Sequence, residues 1–182
     1  MNDKAEKVYA DAFFTLCLEE TPDTLKNTLG ELSALDGIFR EQPDFVKLLG
    51  TPTVTMDEKL GMIKDIIADG ISEYTGNLLC VLTERGRMGC FSGIVKNFRA
   101  LYNEHFRIAE ITVTASAPLS ESVSEKIAAK MSEVTGKTVS IKEKVDPSII
   151  GGVVIDYGST RYDGSVRTRL NELKKELGGV IA

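Results

Sequence analysis

The stretch from 145 to 170, VDPSIIGGVVIDYGSTRYDGSVRTRL, constrains the fold more than any other part of the chain. Asp146-Pro147 is predicted to end a strand, because proline fixes φ and has no amide donor. Gly151-Gly152 allows a tight turn into a buried strand, Val153-Val154-Ile155. Ser165 then occupies an N-cap position before apolar residues at helical spacing, which are Val166, Leu170, Leu173 and Leu177. The chain is therefore predicted to end as strand, hairpin strand and helix.

The front of the chain is predicted to form six helices. The first, from about Asp3 to Glu19, carries two apolar stripes. One stripe is Tyr9, Ala12, Phe13 and Leu16, and the other is Ala10, Phe14 and Leu18. The fifth helix, from about Ser72 to Glu84, contains the run LLCVL at 78–82. An apolar run that covers all sides of a helix predicts packing partners on more than one side.

Beyond His105 the hydrophobic period changes from helical to alternating, with Ile111, Val113 and Ala115 on one side of a predicted strand. A helix and a further alternating segment follow. The order of six helices and then β-α-β-β-α predicts an α+β chain of two domains. Residues 1–105 are expected to form a six-helix bundle, and residues 106–182 a small α/β domain.

Charge and composition narrow the class of function. The formal net charge is −5, and residues 1–105 hold 11 Lys and Arg against 17 Asp and Glu, a net charge of −6. An acidic chain argues against nonspecific nucleic-acid binding. No apolar run approaches the roughly 20 residues that cross a bilayer. The N-terminus resembles neither a secretory signal nor an Arg-rich transit peptide, so a cytosolic location is expected.

The residues most capable of chemistry form no recognisable catalytic, cofactor or metal site. The single histidine, His105, lies at a predicted helix end, and the Gly151-Gly152 turn lacks the pattern of a phosphate-binding loop. Three cysteines without metal-ligand spacing are predicted to be small buried hydrophobes, and these are Cys17, Cys80 and Cys90. Three aspartates and three arginines near the C-terminus are expected to form structural ion pairs and not a metal site. They are Asp146, Asp156, Asp163, Arg161, Arg167 and Arg169. We therefore expect no enzyme activity, no cofactor and no metal.

The first and fifth helices carry more apolar surface than one packed face needs. A six-helix bundle uses such stripes for its own core, which is one explanation. The other is a groove that accepts an amphipathic helix of a partner through anchors at i, i+3, i+4 and i+7. The residues alone leave both open.

The C-terminal stretch resembles the signature of the F-type ATP synthase delta subunit family, which includes the mitochondrial oligomycin-sensitivity-conferring protein. Further segments extend the resemblance over nearly the whole chain. They are Tyr9-Ala10-x-Ala12-Phe13-Phe14, Leu48-Leu49-Gly50-Thr51-Pro52 with Lys59, Asn77-Leu78-Leu79, Leu82-Thr83-Glu84-x-Gly86-Arg87, and TASAPLSE at 114–121. The missing transit peptide favours a bacterial form.

The resemblance implies a non-catalytic stator subunit, peripheral on the cytoplasmic face of the cell membrane. It would link alpha subunits of the catalytic head to the C-terminal helices of the b subunits in the peripheral stalk, and so resist torque. Members of the family hold the N-terminal helix of an alpha subunit in a groove between their first and fifth helices. The resemblance implies that the groove residues in this chain are Tyr9, Ala12, Phe13, Leu16, Asn77, Val81 and Glu84. The C-terminal signature is expected to hold the shape of its domain through Ile150, Gly151, Gly152, Asp163, Gly164, Ser165 and Arg167. The resemblance implies no role for Cys17, Cys80 and Cys90.

Two other classes of function remain possible at this point. Six-helix bundles of this size also occur in RNA-binding regulators of the antitermination type, although the charge of −6 over residues 1–105 opposes that role. A small enzyme holding phosphate at the Gly-Gly turn is opposed by the lack of a base or nucleophile.

Overall fold

The protein combines helices with a small sheet. The structure, a computed structural model, describes residues 3–20, 22–51, 54–68 and 70–180, without the side chains of 22, 65–68 and 177–180. Within these ranges there are eight α-helices and a four-stranded sheet, which confirms the mixed, helix-rich α+β class. Contacts divide the chain into two compact units, Met1–Tyr102 and Asn103–Ala182.

Six of the described α-helices precede the first strand. They are α1 (Asp3–Leu18), α2 (Pro22–Glu41), α3 (Pro43–Gly50), α4 (Met56–Ala68), α5 (Glu73–Glu84) and α6 (Phe91–His105). A capping box begins α4, in which the Glu58 carboxylate accepts from the Thr55 amide at 3.1 Å and the Thr55 hydroxyl accepts from the Glu58 amide at 3.4 Å. The Ser72 hydroxyl caps α5 by accepting from the Thr75 amide. Local sequence signals thus set where these helices begin.

The core of the first unit is built around aromatic rings. The Phe98 ring lies 5.6 Å from Phe13 and 5.5 Å from Phe14, and Phe39 lies 5.0 Å from Phe91. Leu79 and Leu82 of α5, Ile63 of α4 and Leu32 of α2 are also buried. The rings join α1 to α6 and α2 to α6, so α6 is a common support for the other helices.

The buried face of α1 includes Cys17, as predicted, and does not include Leu18 of the second apolar stripe. Leu18 is half-exposed, and Cys17 is buried together with Ala10 and Phe14. Cys17 lies three residues after Phe14 and four after Phe13, so it belongs to the same helical face. Its small thiol fits there, with Sγ 4.0 Å from the Thr28 hydroxyl.

The second unit contains the sheet and two helices. Its elements are β1 (Ile108–Ala115), α7 (Glu121–Thr135), β2 (Thr138–Val145), β3 (Val153–Tyr157), β4 (Thr160–Asp163) and α8 (Val166–Val180). The strand order is β2-β1-β3-β4, with β1 parallel to β2 and the other pairs antiparallel. Met131 of α7 packs on Ile111 and Val113 of the central strand β1.

The predicted β-α-β-β-α order omits one strand, the hairpin strand that was expected before the last helix. Thr160–Asp163 forms β4, which pairs with β3 through Tyr157↔Thr160 and Val154↔Asp163. All four residues of β4 are exposed, so the segment has no alternation of apolar and polar residues to reveal it. Its position at the sheet edge next to the Gly158-Ser159 turn explains how so polar a segment becomes a strand.

Candidate partner-binding groove

An apolar cavity of about 400 Å³ lies between α1 and α5. Each helix contributes residues at helical spacing, which are Tyr9, Ala12, Phe13 and Leu16 from α1 and Tyr74, Asn77, Leu78 and Val81 from α5. The first and last members of each set are seven positions apart, which is about 10 Å at 1.5 Å per residue. The cavity is therefore a groove along two turns of both helices, and we call it the α1–α5 groove.

The groove has a buried floor and exposed rims. Phe13 and Leu78 are buried and continuous with the core, since Phe13 also contacts Phe98. Leu16 is 47% exposed and Val81 is 41% exposed. Val81 is the one member of the LLCVL run with a largely exposed side chain, because Leu78, Leu79 and Leu82 are buried and Cys80 is half-buried. Apolar side chains at the rims can thus be covered by another helix.

A tyrosine lies at each end of the α1–α5 groove, with a charged neighbour. At one end, the Arg87 guanidinium donates to the Tyr9 hydroxyl at 3.3 Å and lies 5.6 Å from the centre of its ring. At the other end, a hydrogen bond with the Glu20 carboxylate raises the pKa of Tyr74, as do burial and the charges of Glu20 and Glu73. The two ends therefore carry opposite charge.

Six of the seven groove residues expected from the sequence line this one cavity. Glu84 does not line it; it lies about one turn beyond Val81, at the last residue of α5. Tyr74 and Leu78 line the groove and were missed. Their spacing to Asn77 and Val81, at i, i+3, i+4 and i+7, is the sequence signal that would have found them.

A carboxylate on α2 fixes the start of α5. Glu31 accepts from the Ser72 amide at 3.2 Å, the Ser72 hydroxyl at 2.6 Å and the Thr75 hydroxyl at 2.5 Å. Thr75 is fully buried, so this is an interior connection between α2 and the first turn of α5. Glu31 therefore helps to set the position of one wall of the groove.

A second, larger cavity of about 610 Å³ lies elsewhere in the first unit. Its lining comes from α2, α3 and α4 and from the segment before α5, and includes Leu35, Ile38, Phe39, Phe45 and Met62. No sequence pattern indicates this cavity, because its lining residues have the spacing of ordinary core positions.

The glycines of the C-terminal signature serve close backbone packing. Gly152 has φ +76°, and a Cβ there would overlap the carbonyl oxygen of Gly164. Two backbone bonds tie this turn to the start of α8, from Gly164 N–H to Val153 O at 3.0 Å and from Val166 N–H to Gly151 O at 3.0 Å. The turn and the start of α8 are thus one tightly packed arrangement.

The polar residues of the signature cap and brace the same region. Asp163 accepts from the Ser165 amide at 2.9 Å and from the Thr168 hydroxyl at 2.9 Å, and these hydrogen bonds lower its pKa. Ser165 is buried and caps α8 by accepting from the Thr168 amide at 3.2 Å. Arg167 donates to the Ser148 hydroxyl at 3.0 Å. Ile150 differs from the rest, since it is mostly exposed and has φ +69°.

Helix α8 presents an apolar face of its own. Val166, Leu170 and Leu173 lie on one side of this helix and all three are exposed, the two leucines by about half. The side chain of Leu177, predicted to continue the stripe, lies outside the described residues. The second unit therefore also has apolar helical surface outside its core.

The acidic residues considered as metal ligands have other partners. Asp146 accepts from the Ser148 amide at 2.9 Å, Asp163 caps α8, and Asp156 pairs with Arg161 at 3.6 Å. In the described part of the chain, no group of three His, Cys, Asp or Glu residues is arranged to hold a metal ion. Burial raises the pKa of all three thiols, of which Cys17 and Cys90 are buried and Cys80 is half-buried. Among the helices described, none has the length and hydropathy needed to span a bilayer.

The fold and the groove define a helix-rich α+β protein with an open apolar groove. Comparison with known proteins identifies its family. Residues 5–177 match the family model described as ATP synthase delta (OSCP) subunit. The chain belongs to this family.

Relatives include bacterial, chloroplast and mitochondrial proteins. The chain is 34% identical to the chloroplastic ATP synthase subunit delta of Emiliania huxleyi, covering 94% of this chain and 95% of that one. It is 34% identical to ATP synthase subunit delta of Anaeromyxobacter sp. (strain Fw109-5), covering 93% and 94%. It is 32% identical to mitochondrial ATP synthase subunit O of Ipomoea batatas, covering 93% and 70%.

A solved structure has a similar fold. A chain of the Toxoplasma gondii mitochondrial ATP synthase hexamer has a TM-score of 0.70 and 22% identity, covering 94% of this chain and 96% of that chain. The family places this chain among the non-catalytic stator subunits of the peripheral stalk. The comparisons give no support to the RNA-binding alternative.

Proposed function

We propose that this subunit joins the catalytic head to the peripheral stalk through two separate surfaces. Residues 1–105, as a six-helix bundle, hold the N-terminal amphipathic helix of an alpha subunit in the α1–α5 groove. Residues 106–182 engage the C-terminal helices of the b subunits. The subunit lies on the cytoplasmic face of the cell membrane as a peripheral part of the complex. By bracing the head against the turning shaft, it couples ion flow to ATP synthesis.

The observation that carries this proposal is the shape and lining of the α1–α5 groove. Two rows of lining residues, each running from i to i+7, match the i, i+3, i+4 and i+7 anchors of one docked helix. Fully burying a leucine or valine side chain contributes about 1.5–3 kcal/mol, and Leu16 and Val81 are only about half-buried in the free subunit. Burying the exposed parts of these two side chains under a partner helix would stabilise the complex.

A joint under torque needs slow dissociation, and differences in affinity between related complexes arise mostly in the dissociation rate. A helix lying in an apolar groove meets this need better than a charged surface contact, which salt screens. The catalytic head and the stalk can thus be held together without a catalytic residue in this chain.

The apolar face of α8 supports the second contact. Val166, Leu170 and Leu173 form a stripe on a helix whose other described side chains are polar or charged. Stalk helices that present apolar residues at helical spacing would pack on such a stripe. The glycine-rich signature next to it holds the start of α8 in place.

Titration of the full chain with a synthetic alpha-subunit N-terminal peptide tests the first contact. Val81→Asp should weaken binding at least about thirtyfold, because a carboxylate would be buried in an apolar groove. The matched control is Val123→Asp, since Val123 has a similar exposure of 39% on α7 in the other unit. Equal affinities of both variants, with unchanged circular dichroism, would contradict the groove assignment.

The second contact is tested with a peptide from the C-terminal helices of the b subunit. Leu170→Asp should abolish its binding and leave alpha-peptide binding unchanged. Asn171→Asp adds the same carboxylate to the opposite side of α8 and serves as the control. Loss of binding in the control alone would move the stalk contact away from the apolar face.

A further inference from the structure

The two ends of the α1–α5 groove differ in charge because α1 and α5 run in opposite directions. Arg87, just beyond the end of α5, contacts Tyr9 near the start of α1. Glu20, just beyond the end of α1, neighbours Tyr74 in the first turn of α5. Each tyrosine lines the groove, so the charged groups lie at its two openings.

The surrounding charges strengthen the difference. At the Tyr74 end, Glu19, Glu20 and Glu73 are all exposed. At the Tyr9 end, Arg85 and Arg87 outnumber Glu84, and all three are exposed. The other charges at the start of α1 cancel as two acidic and two basic residues, of which Lys7 pairs with Asp3 at 3.9 Å and Glu6 lies against Gly93 of α6. One opening is therefore acidic and the other weakly basic.

A free amphipathic helix is most stable with acidic side chains in its first turn and basic side chains in its last, because these complement its dipole. Such a helix has the opposite charge to each opening when its last turn lies at Glu20 and its first at Arg87. In that direction it runs parallel to α1 and antiparallel to α5. The reverse direction would place like charges together at both ends.

We propose that the groove selects the charge pattern and direction of its helix: an acidic first turn at Tyr9 and Arg87, and a basic last turn at Tyr74 and Glu20. This inference rests on the proposed function and adds specificity to it. The apolar rows supply affinity, and Glu20, Glu73 and Arg87 determine which helix is accepted and which way it lies.

The direction is measured with a designed 18-residue peptide, acetylated and amidated, that carries apolar residues at i, i+3, i+4 and i+7. It has two glutamates in its first turn, two lysines in its last, and a nitroxide label at the lysine end. In NMR spectra of the full chain, the label should broaden the amides of Glu73 and Tyr74 and leave those of Glu84 and Arg85 sharp. Equal broadening at both ends, or broadening at Arg85 alone, would overturn the inference.

Charge reversal at one end tests specificity. The double variant Glu20→Lys, Glu73→Lys makes both openings basic, so the charged peptide should bind about tenfold more weakly at low salt in either direction. A second peptide has the same apolar face and glutamine in place of all four charged residues. It should bind the wild type and the double variant with equal affinity. The control Glu121→Lys, Glu125→Lys makes the same change on α7 and should leave both affinities at the wild-type value.

The outcomes separate the two proposals. If neither peptide binds, the groove does not take a helix, and both proposals fall. If both peptides bind with equal affinity to the wild type and to the Glu20→Lys, Glu73→Lys variant, the groove remains a helix site, and only the charge selection is refuted.

Discussion

The C-terminal signature and the α1–α5 groove use their distinctive residues in opposite ways. In the signature, Gly152 lies against the backbone of Gly164, and Asp163 and Ser165 hydrogen-bond within the same turn. In the groove, Leu16 and Val81 are half-exposed at the rim of a cavity. The signature is packed and hydrogen-bonded within its own chain, whereas the groove leaves apolar side chains exposed.

If the proposed function holds, the most recognisable segment of this sequence is not its binding surface. The signature is distinctive because few residue types satisfy a positive φ, a close backbone contact and a helix cap within a short stretch. The groove is built of leucine, valine and aromatic residues at helical spacing, which every helical core also uses. Four experiments sharpen the contrast, from the largest expected effect to the smallest.

The largest effect is expected at the Gly152 turn. Gly152→Ala should reduce the free energy of unfolding of the second unit by about 4 kcal/mol, because the new Cβ meets the Gly164 carbonyl at a positive φ. Gly158→Ala is the matched control, with φ +58° and no atom near its Cβ, and should cost about 1 kcal/mol. Urea unfolding followed by the amide resonances of β3 measures both, and equal costs would show that the close contact is unimportant.

Two adjacent residues of α5 separate core from groove. Leu82→Ala should cost about 3 kcal/mol of stability, because Leu82 is fully buried and a cavity would remain. Val81→Ala should change stability by no more than about 0.5 kcal/mol, yet weaken alpha-peptide binding more than Leu82→Ala does. Circular dichroism in urea and peptide titration give the two values. A large stability loss for Val81→Ala would mean that Val81 belongs to the core.

The Glu31 connection is expected to matter less for stability than a core leucine. Glu31→Gln replaces an acceptor of three hydrogen bonds by an amide with a single acceptor oxygen, and should cost about 1.5 kcal/mol. Amide exchange should speed up at Ser72 and Thr75, and alpha-peptide affinity should fall with it. Glu41→Gln, an exposed change at the end of the same helix, is the control. Unaltered exchange in α5 would refute the role of Glu31 in positioning the groove wall.

The smallest effect is the response of the signature to acid. Hydrogen bonds from Ser165 and Thr168 hold the pKa of Asp163 below its ordinary value of 3.8. Since the folded pKa is lowered, the stabilisation is complete above the ordinary value and is lost as the pH falls through the folded pKa. Asp163→Asn should therefore flatten the acid dependence of unfolding of the second unit. Hydrogen bonding is the main cause of the lowered pKa, so 0.5 M salt should preserve the dependence of the wild-type unfolding free energy on pH. If salt removed that dependence, the cause would be the charges of neighbouring residues instead.

Local signals made much of the fold predictable. The Ser165 cap and the change of period after His105 act within a few residues, so the sequence shows them directly. The predicted hairpin strand is present as β4, but the β-α-β-β-α order left it out because its residues, TRYD, are all exposed and become a strand only by pairing with β3. Cys17 is buried as predicted, whereas Leu18 is half-exposed, because the two residues lie on neighbouring faces of one helix and packing decides which face is buried.

By itself, the sequence determined the periodicity of each helix, the turn that needs glycine and the apolar excess on α1 and α5, because these depend on neighbours within a few residues. Only the tertiary structure decided whether that excess is buried. It placed Phe13 and Leu78 in the floor, left Leu16 and Val81 at the rims, and brought Arg87 and Glu20 to opposite openings. The physical reason is that burial depends on which helices pack together, and helical spacing is the same whether a stripe faces its own core or a partner.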